Sequence, residues 1–443
     1  MRPDIYRVVT SLAAPPATGY LLWRTVRDNR GGRYFRQRLG WSLPEGPFDF
    51  WVHCVSVGEV WAACSLVQAL ASAHPRRRIL VSTCTPTGAE TAEKRLPSGT
   101  RHTYLPVDFR GAVHRFFRRA QPRCALVVET ELWPNLFKAC RERDIPLFVI
   151  NGRLSRRTLE APAWIRAVLA AALGAVHGCL ARSQEDGRRF HALGMPPERI
   201  RVLGNLKFAR AGELAREVPE ASPVARPYVL AGSTHAGEEA ALADLWLRAA
   251  PTDRLLVIAP RHPARGTRIL HELQARTSRV AVRSRGDPIT ADTAIYLADT
   301  LGELTWFLGH ADLVFLGGSL VPIGGHNLLE PAALGRPVLV GPHMEKFRGE
   351  LEGLQGAGGA IQVSGAPELA EELAALLRDP RRRAAIGAAG HRFVHDHGNV
   401  LERYLETLAE LCPEHFTPGP IRTSASRGSD PAAQAYRLQG GHP

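Results

Sequence analysis

Two doubly wound, Rossmann-like α/β domains in series, facing a cleft, are the fold this sequence predicts, and three observations predict it. Short runs of continuous apolar residues recur from about residue 48, each followed by a helical pattern. Strands buried on both faces of a parallel sheet read this way. The recurrence stops once, after GNLKF (204–208), in a stretch rich in Ala, Pro and charge, and then restarts. The length, 443 residues, exceeds what one compact core holds at ~100–200 residues per domain.

Composition is that of a globular chain, 45% apolar and 22% charged, with no long low-complexity block between residues 45 and 412. A mainly disordered protein is excluded. Lys and Arg outnumber Asp and Glu by 56 to 43, a formal charge of +13. An acidic partner is therefore expected: nucleic acid, an anionic membrane face or a phosphorylated substrate. Nucleic acid is disfavoured because no aromatic-basic stacking motif accompanies the charge. Cysteines at 54, 64, 84, 124, 140, 179 and 412 show neither CxxC nor Cys-His ligand spacing. They read as reduced, buried thiols with no zinc site and no disulfide frame.

Residues 1–44 read as a membrane-associated segment. VVTSLAAPPATGYLLW (8–23) lacks charge and is followed by six arginines (24, 27, 30, 33, 36, 38) and one acid, Asp28. As a helix this run would span ~24 Å, short of a ~30 Å hydrocarbon core, and Pro15-Pro16 is expected to break it. An interfacial anchor follows, with Tyr20 and Trp23 at headgroup depth and the arginines on anionic lipid. A surface helix packed on the domain is the alternative.

Residues 45–208 form the first domain, with strands in FDFWVHCVS, RILVSTCT, HTYLPVD, CALVVETE, IPLFVING, AVHGCLARS and IRVLGN. Residues 209–226 are the linker. Residues 227–412 form the second domain, with strands in YVLAGST, RLLVIAPRH, VAVRS, AIYLAD, LVFLGGS, PVLVGP and AIQVSG. Residues 413–443, rich in Pro, Gly, Ser and Arg, are expected to be a disordered tail. Such folds bind ligands at the carboxyl ends of their strands, and a cleft between two of them is where two substrates meet.

In HCVSVGEVWAACSLVQAL (53–70), Glu59 sits at a strand-to-helix turn after Gly58, where a carboxylate also suits the helix dipole. VVETELWPN (127–135) sets Glu129 and Glu131 at the end of a buried strand. Three carboxylates around one cleft suit acid-base work or recognition of a hydroxyl-rich sugar; caps and salt bridges are the alternative roles. In the second half GSTHAGEE (232–239), APRHPAR (259–265), DTLGEL (299–304) and GGSLVPIGGHNLLEP (317–331) each lie just past a strand. Glycine lets backbone N–H groups approach a phosphate, and the helix expected near Asn327 offers its positive end. Arg261 supplies a bidentate cation, and Glu330, one turn in, is placed to accept hydrogen bonds from ribose hydroxyls. Neither GxGxxG nor GxxxxGK[ST] occurs, which disfavours a dinucleotide or an NTP.

HCVSVGE, VETELWPN, NGRLS (151–155), GNLKF, GSTHAGEE, APRHP, DTLGEL and GGSLVPIGGHNLLEP together resemble, in order and spacing, the 3-deoxy-D-manno-octulosonic acid (Kdo) transferases of Gram-negative lipopolysaccharide synthesis. The resemblance covers roughly residues 1–412. It implies the GT-B glycosyltransferase fold, CMP-Kdo as donor with no further cofactor and no metal, and a lipid A precursor (lipid IVA) as acceptor. It also implies the cytoplasmic face of the inner membrane. By it Glu59 is the general base that takes the acceptor's hydroxyl proton, while Glu129, in preference to Glu131, and Lys207 assist the transition state. Pro260, Arg261, Leu301, Gly302, Glu303, Asn327, Leu328, Leu329 and Glu330 hold the positions that bind CMP. The implied reaction is an inverting single displacement at the anomeric carbon. The lack of a DxD-type cluster at the strand ends agrees with a metal-free site. Another GT-B nucleotide-sugar transferase or an epimerase would share the second-domain signals. A non-enzymatic nucleotide-sugar-binding protein would predict loss of the base, and Glu59 is present. The sequence assigns no oligomeric state.

Overall fold

The structure, a computed structural model, describes residues 3–214, 218–249 and 253–417. Each of the expected strand runs forms a strand. The first sheet contains β1 (Phe48–His53), β2 (Ile79–Thr83), β3 (Arg101–Tyr104), β4 (Pro122–Val128), β5 (Leu147–Gly152), β6 (Gly178–Ala181) and β7 (Ile200–Val202). The second contains β8 (Tyr228–Thr234), β9 (Leu255–Pro260), β10 (Val280–Val282), β11 (Ile295–Leu297), β12 (Leu313–Leu316), β13 (Val338–Val340) and β14 (Ala360–Gln362). Their orders are β3-β2-β1-β4-β5-β6-β7 and β10-β11-β9-β8-β12-β13-β14, with every pairing parallel.

Continuous apolar sequence makes these strands central because alternate side chains enter different cores. In β4, Cys124, Leu126 and Val128 join the core on one face, while Ala125 and Val127 join the core on the other. In β9, Leu256 and Ile258 separate from Leu255, Val257 and Ala259 in the same way. The order of strands reverses between β1 and β4 in the first sheet and between β8 and β12 in the second. The crevice outside the carboxyl ends of such a pair is where doubly wound sheets hold ligands.

The division between domains differs from the expected one at both ends of the second domain. The linker begins as helix, Lys207–Glu213, with Phe208, Ala209 and Ala211 buried. The helix Val400–Leu411 and the turn Pro413–Phe416 leave the second domain and pack on the first. The Tyr404 hydroxyl lies 3.2 Å from the Leu180 carbonyl and 3.0 Å from that of Gly204, and the Phe416 ring centroid lies 5.2 Å from that of Phe50. The apolar face of this last helix, Tyr404 and Leu408, is covered by first-domain strands, so residues 400–417 belong physically to that half. The disorder expected of 418–443 lies outside the described residues.

The proline pair does not break the amino-terminal helix. Helix α1 runs from Pro3 to Arg27 with Pro15 and Pro16 inside it, and α2 follows from Gly31 to Arg38. The pair removes two N–H donors, which opens the carbonyls of Ser11 and Leu12, and both residues are exposed, so water can serve them. Polarity in α1 is inverted. Tyr6, Thr10 and Thr25 face the protein: Asn135 Nδ2 donates to Thr10 Oγ1 at 3.2 Å, and Thr25 is buried. Val9, Leu12, Tyr20, Leu22, Trp23 and Val26 face outward at 49–74% exposure. Among the described residues no helix is long and apolar enough to cross a membrane.

The arginine cluster is not uniform either. Asp28 gathers Arg24, Arg27 and Arg30, whereas Arg38 turns inward and donates through Nη1 to the Leu105 carbonyl. Arg38 is thus a structural residue, which corrects its expected place on lipid.

Candidate functional site

Glu59 lies in the first turn of α3 (Val57–Ala73), directly beyond β1. Its Oε2 accepts the Val55 N–H at 2.7 Å and its Oε1 accepts the Ser56 hydroxyl at 3.2 Å, so it does fill a helix-terminus role. It is also buried at 9% exposure. Burial pushes its carboxyl up to about 8; the two hydrogen bonds oppose this, and the charges of Glu129 and Glu131 add to it. Glu131 is half-buried and its carboxyl is likewise raised, first by burial and then by Glu129. The three glutamates of the sequence reading therefore share one field at the reversal point of the first sheet.

Glu129 follows β4 in the left-handed region, at φ 61°, and its N–H donates to the Ile150 carbonyl at 2.9 Å. Asn151, ending β5, and Ser233, in β8, hold φ 51° and 56°. Non-glycine residues in this region are sparsely populated and gather where function over-determines the backbone.

Lys207 opens its helix where the two domains meet, with Nζ 4.8 Å from the centroid of the second-domain ring of Phe347. Two residues earlier, Asn205 Nδ2 donates to Glu350 Oε1 at 2.8 Å across the same junction. A cavity of about 690 Å³ opens beside them and is lined by Arg153, Arg182, Lys346, Arg348 and Arg403 among others.

In the second domain the structure brings Pro260, Arg261, Leu301, Gly302 and Glu303 around one pocket of about 120 Å³. The Arg261 N–H donates to the Thr234 carbonyl at 3.0 Å, which ties the end of β9 to the end of β8. Leu301 is 83% exposed on the rim. Glu303 is gripped by Arg283 at 2.7 and 3.2 Å; this bond, aided by the Thr300 hydroxyl, holds its carboxyl below the usual range. Asn327, Leu328, Leu329 and Glu330 do not line that pocket. Asn327 Nδ2 donates to Glu330 Oε1 at 2.9 Å, and Leu328 and Leu329 are fully buried in the core, so only their backbone is free to meet a ligand. The helix expected here is a single short one, Leu329–Ala333.

The first glycine pair has a different use from the one its sequence implied. The N–H groups of Gly318, Ser319 and Leu320, with that of His235, all donate to the carboxylate of Glu238 at 2.7–3.1 Å. These donors are turned inward to a buried carboxylate rather than outward to a phosphate. Gly317 is required by closeness: a Cβ there would lie 2.6 Å from the Ser233 carbonyl oxygen and from the Thr234 Cα.

Sequence reasoning missed Glu238 and its neighbour Glu239, which is fully buried and paired with Arg265 at 2.9 Å. The signal was present in GSTHAGEE as two adjacent acids just past a strand, but two acids in a helix's first turn are ordinary. It also missed a group of ligand atoms from Cys412, Glu414 and His415 that lie within 4.8 Å of one another, at the amino-terminal end of the first sheet beside Arg77. All seven cysteines are free.

The family described as 3-Deoxy-D-manno-octulosonic-acid transferase (kdotransferase) matches residues 33–210. The chain is 35% identical over 396 residues to the 3-deoxy-D-manno-octulosonic acid transferase of Haemophilus influenzae, across 87% of this chain and 92% of that relative. It is 34% identical over 411 residues to the enzyme of the same name from Bordetella pertussis, across 88% and 95%. The UDP-GlcNAc 2-epimerase of Neisseria meningitidis shares the fold at 13% identity and a TM-score of 0.58, across 82% of this chain and all of that one. Two parallel seven-stranded sheets joined in this way are the GT-B arrangement. With its motifs seated at the carboxyl ends of both sheets and relatives matched along nearly their whole length, the chain belongs to the 3-deoxy-D-manno-octulosonic acid (Kdo) transferase family and is a glycosyltransferase.

Proposed function

We propose that the protein transfers Kdo from CMP-Kdo to a lipid A precursor, lipid IVA, in lipopolysaccharide synthesis at the cytoplasmic face of the inner membrane. The observation that carries this reading is the buried Glu59, held with Glu129 and Glu131 at the strand reversal of the first sheet, in a fold whose second sheet bears the Arg261 pocket at its own carboxyl edge.

In the proposed reaction Glu59 takes the proton of the acceptor hydroxyl as that oxygen attacks the anomeric carbon. A base with a carboxyl near 8 transfers protons efficiently close to neutral pH. CMP leaves from the opposite face, so the configuration inverts. The donor carries one phosphate, and its developing charge is met by Arg261 and Lys207. The small pocket at Pro260, Arg261 and Leu301–Glu303 is assigned to the nucleoside, and Asn327–Glu330 to its remaining contacts. Because a monophosphate leaving group needs less neutralisation than a pyrophosphate, activity is expected to survive chelation by EDTA. The outward apolar face of α1, with Arg24, Arg27 and Arg33 nearby, would bring the site to the lipid surface.

Incubation with CMP-Kdo and lipid IVA, followed by mass spectrometry, tests the reading. The acceptor should gain the mass of one or more Kdo residues. Turnover of a UDP-sugar instead would favour another GT-B activity.

A further inference from the structure

Two histidines of the second domain have no part in the reaction so far. His235 follows β8 and His326 lies in the loop after β12, so they face each other across the strand reversal of the second sheet. Their Nε2 atoms are 2.8 Å apart, their ring planes differ by 7° and their centroids are 5.1 Å apart. Near-coplanar rings in contact through their Nε2 atoms meet edge to edge, which is a linear N–H···N hydrogen bond. One ring carries its proton on Nε2 and the other presents its lone pair there. Both cannot be doubly protonated, so the pair holds at most one extra proton.

The backbone is arranged to allow this contact. A Cβ on Gly318, which has φ 66°, would lie 3.0 and 3.1 Å from Cδ2 and Nε2 of His326 and 3.4 Å from Cδ2 of His235. Around the pair stand Arg261 and His262 from the end of β9, with the His262 ring centroid 5.8 Å from that of His235, and Lys346 from the segment after β13. Arg265 and Glu239 also face His235 but neutralise each other. Glu238, beneath, is committed to backbone N–H groups. Burial, followed by these cations, holds both imidazoles below the ordinary histidine range, His326 at about 4. The resting pair is therefore neutral within a ring of positive charge, a place that lacks an anion.

We propose that the His235–His326 pair is a phosphate-linked proton site: it takes up one proton from solvent when the phosphate of a nucleoside monophosphate sits against it and Arg261. The inference rests on the donor-site reading above. A sugar–nucleotide phosphodiester carries one negative charge; when the anomeric C–O bond breaks, its electron pair stays on the phosphate, which becomes a monoester with a second ionisation near ~6. The acceptor's hydroxyl proton goes to Glu59, and the proton captured by the imidazole pair offsets the added charge on CMP. Release of that proton accompanies product release.

Calorimetric titration of the full-length protein with CMP at pH 7.5, in buffers of different ionisation enthalpy, reads the protons exchanged. The wild type should take up close to one proton per CMP bound, and cytidine, which lacks the phosphate, should take up almost none. His326→Gln and His235→Gln, each checked for an unchanged melting temperature, should still bind CMP, about tenfold more weakly, with less than half the uptake. A wild type that binds CMP with no buffer-dependent heat, equal uptake for cytidine and CMP, or unchanged uptake in a folded variant would each overturn the proposal alone. Failure of the wild type to bind CMP at all would overturn the donor-site reading with it.

Discussion

The Tyr6 hydroxyl donates to the carboxylate of Asp108 at 3.1 Å, and with this bond a helix at the start of the chain is fastened to a loop 102 residues away. Asp108 also accepts the N–H groups of Asn135 and Leu136 at 3.0 and 2.9 Å, so one side chain caps the helix Pro134–Arg141 and anchors α1. Tyr6→Phe keeps the ring and removes one donor. It should cost about 1–2 kcal/mol and make α1 more accessible to limited proteolysis, whereas an unaltered melting temperature and cleavage pattern would mean that the bond does not hold the helix.

Glu59→Gln separates the carboxylate's two roles. As the base it should be irreplaceable, and single-turnover Kdo transfer should fall by about 10²–10⁴ while CMP affinity stays near normal. The wild-type rate should climb with pH toward about 8 as the carboxyl ionises.

Stability should move the other way. The folded state holds the Glu59 proton to about 8 while the unfolded chain releases it near ~4.3. The contribution to stability is therefore complete below that lower value and is lost as pH rises through about 8. The Gln variant has no such loss, so it should melt higher than the wild type at pH 8, with the gap closing by about pH 5. Parallel melting curves at the two pH values would contradict the raised carboxyl.

Leu12, Trp23 and Val26 lie on the outward face of α1 at 74%, 52% and 73% exposure. Replacing all three by Ser should reduce sedimentation with anionic vesicles and leave the melting temperature nearly unchanged, because these side chains bury nothing within the protein. Arg24 and Arg27, about half exposed, should each add ~1 kcal/mol to vesicle binding. Arg38→Gln should do the reverse, lowering stability with little effect on vesicles.

Glu238→Gln replaces one carboxylate oxygen by an amide that cannot accept hydrogen bonds, beneath a loop that offers four backbone donors. A loss of about 2 kcal/mol or more is expected, with weaker CMP binding because the loop carrying His326 loses its floor. Arg261→Ala should weaken CMP while leaving cytidine binding less affected, as suits a cation that meets the phosphate. Calorimetry with both ligands reads each outcome.

Fourteen strands were legible in the sequence because a strand buried on both faces has a one-dimensional signature, as in LFVING and LLVIAP. Glu59 and Glu129 were legible for a related reason, since the end of such a strand is a known place in the fold. The course of α1 was not, because whether Pro15 and Pro16 end a helix depends on whether the carbonyls they open reach water, and that is a property of the surroundings. The return of Val400–Leu411 to the first domain was hidden too: an amphipathic stripe reports that it is buried but not beneath which sheet. GGS at 317–319 shows a flexible backbone near a ligand edge, yet only the position of Glu238 decides which way its N–H groups point. His235 and His326 are 91 residues apart, and no local spacing could pair them.

The return of the last helix means that the polypeptide passes between the halves twice, near residue 214 and again near residue 399. A single strand of chain would act as a ball joint, free to swivel and twist. Two separated passages define a line, and the halves can open or shut about it like a book on its spine but cannot slide or turn face away from face. Glu59 and Arg261 are thereby kept on opposing pages at every opening angle. A reactive sugar needs only to be closed upon, not searched for.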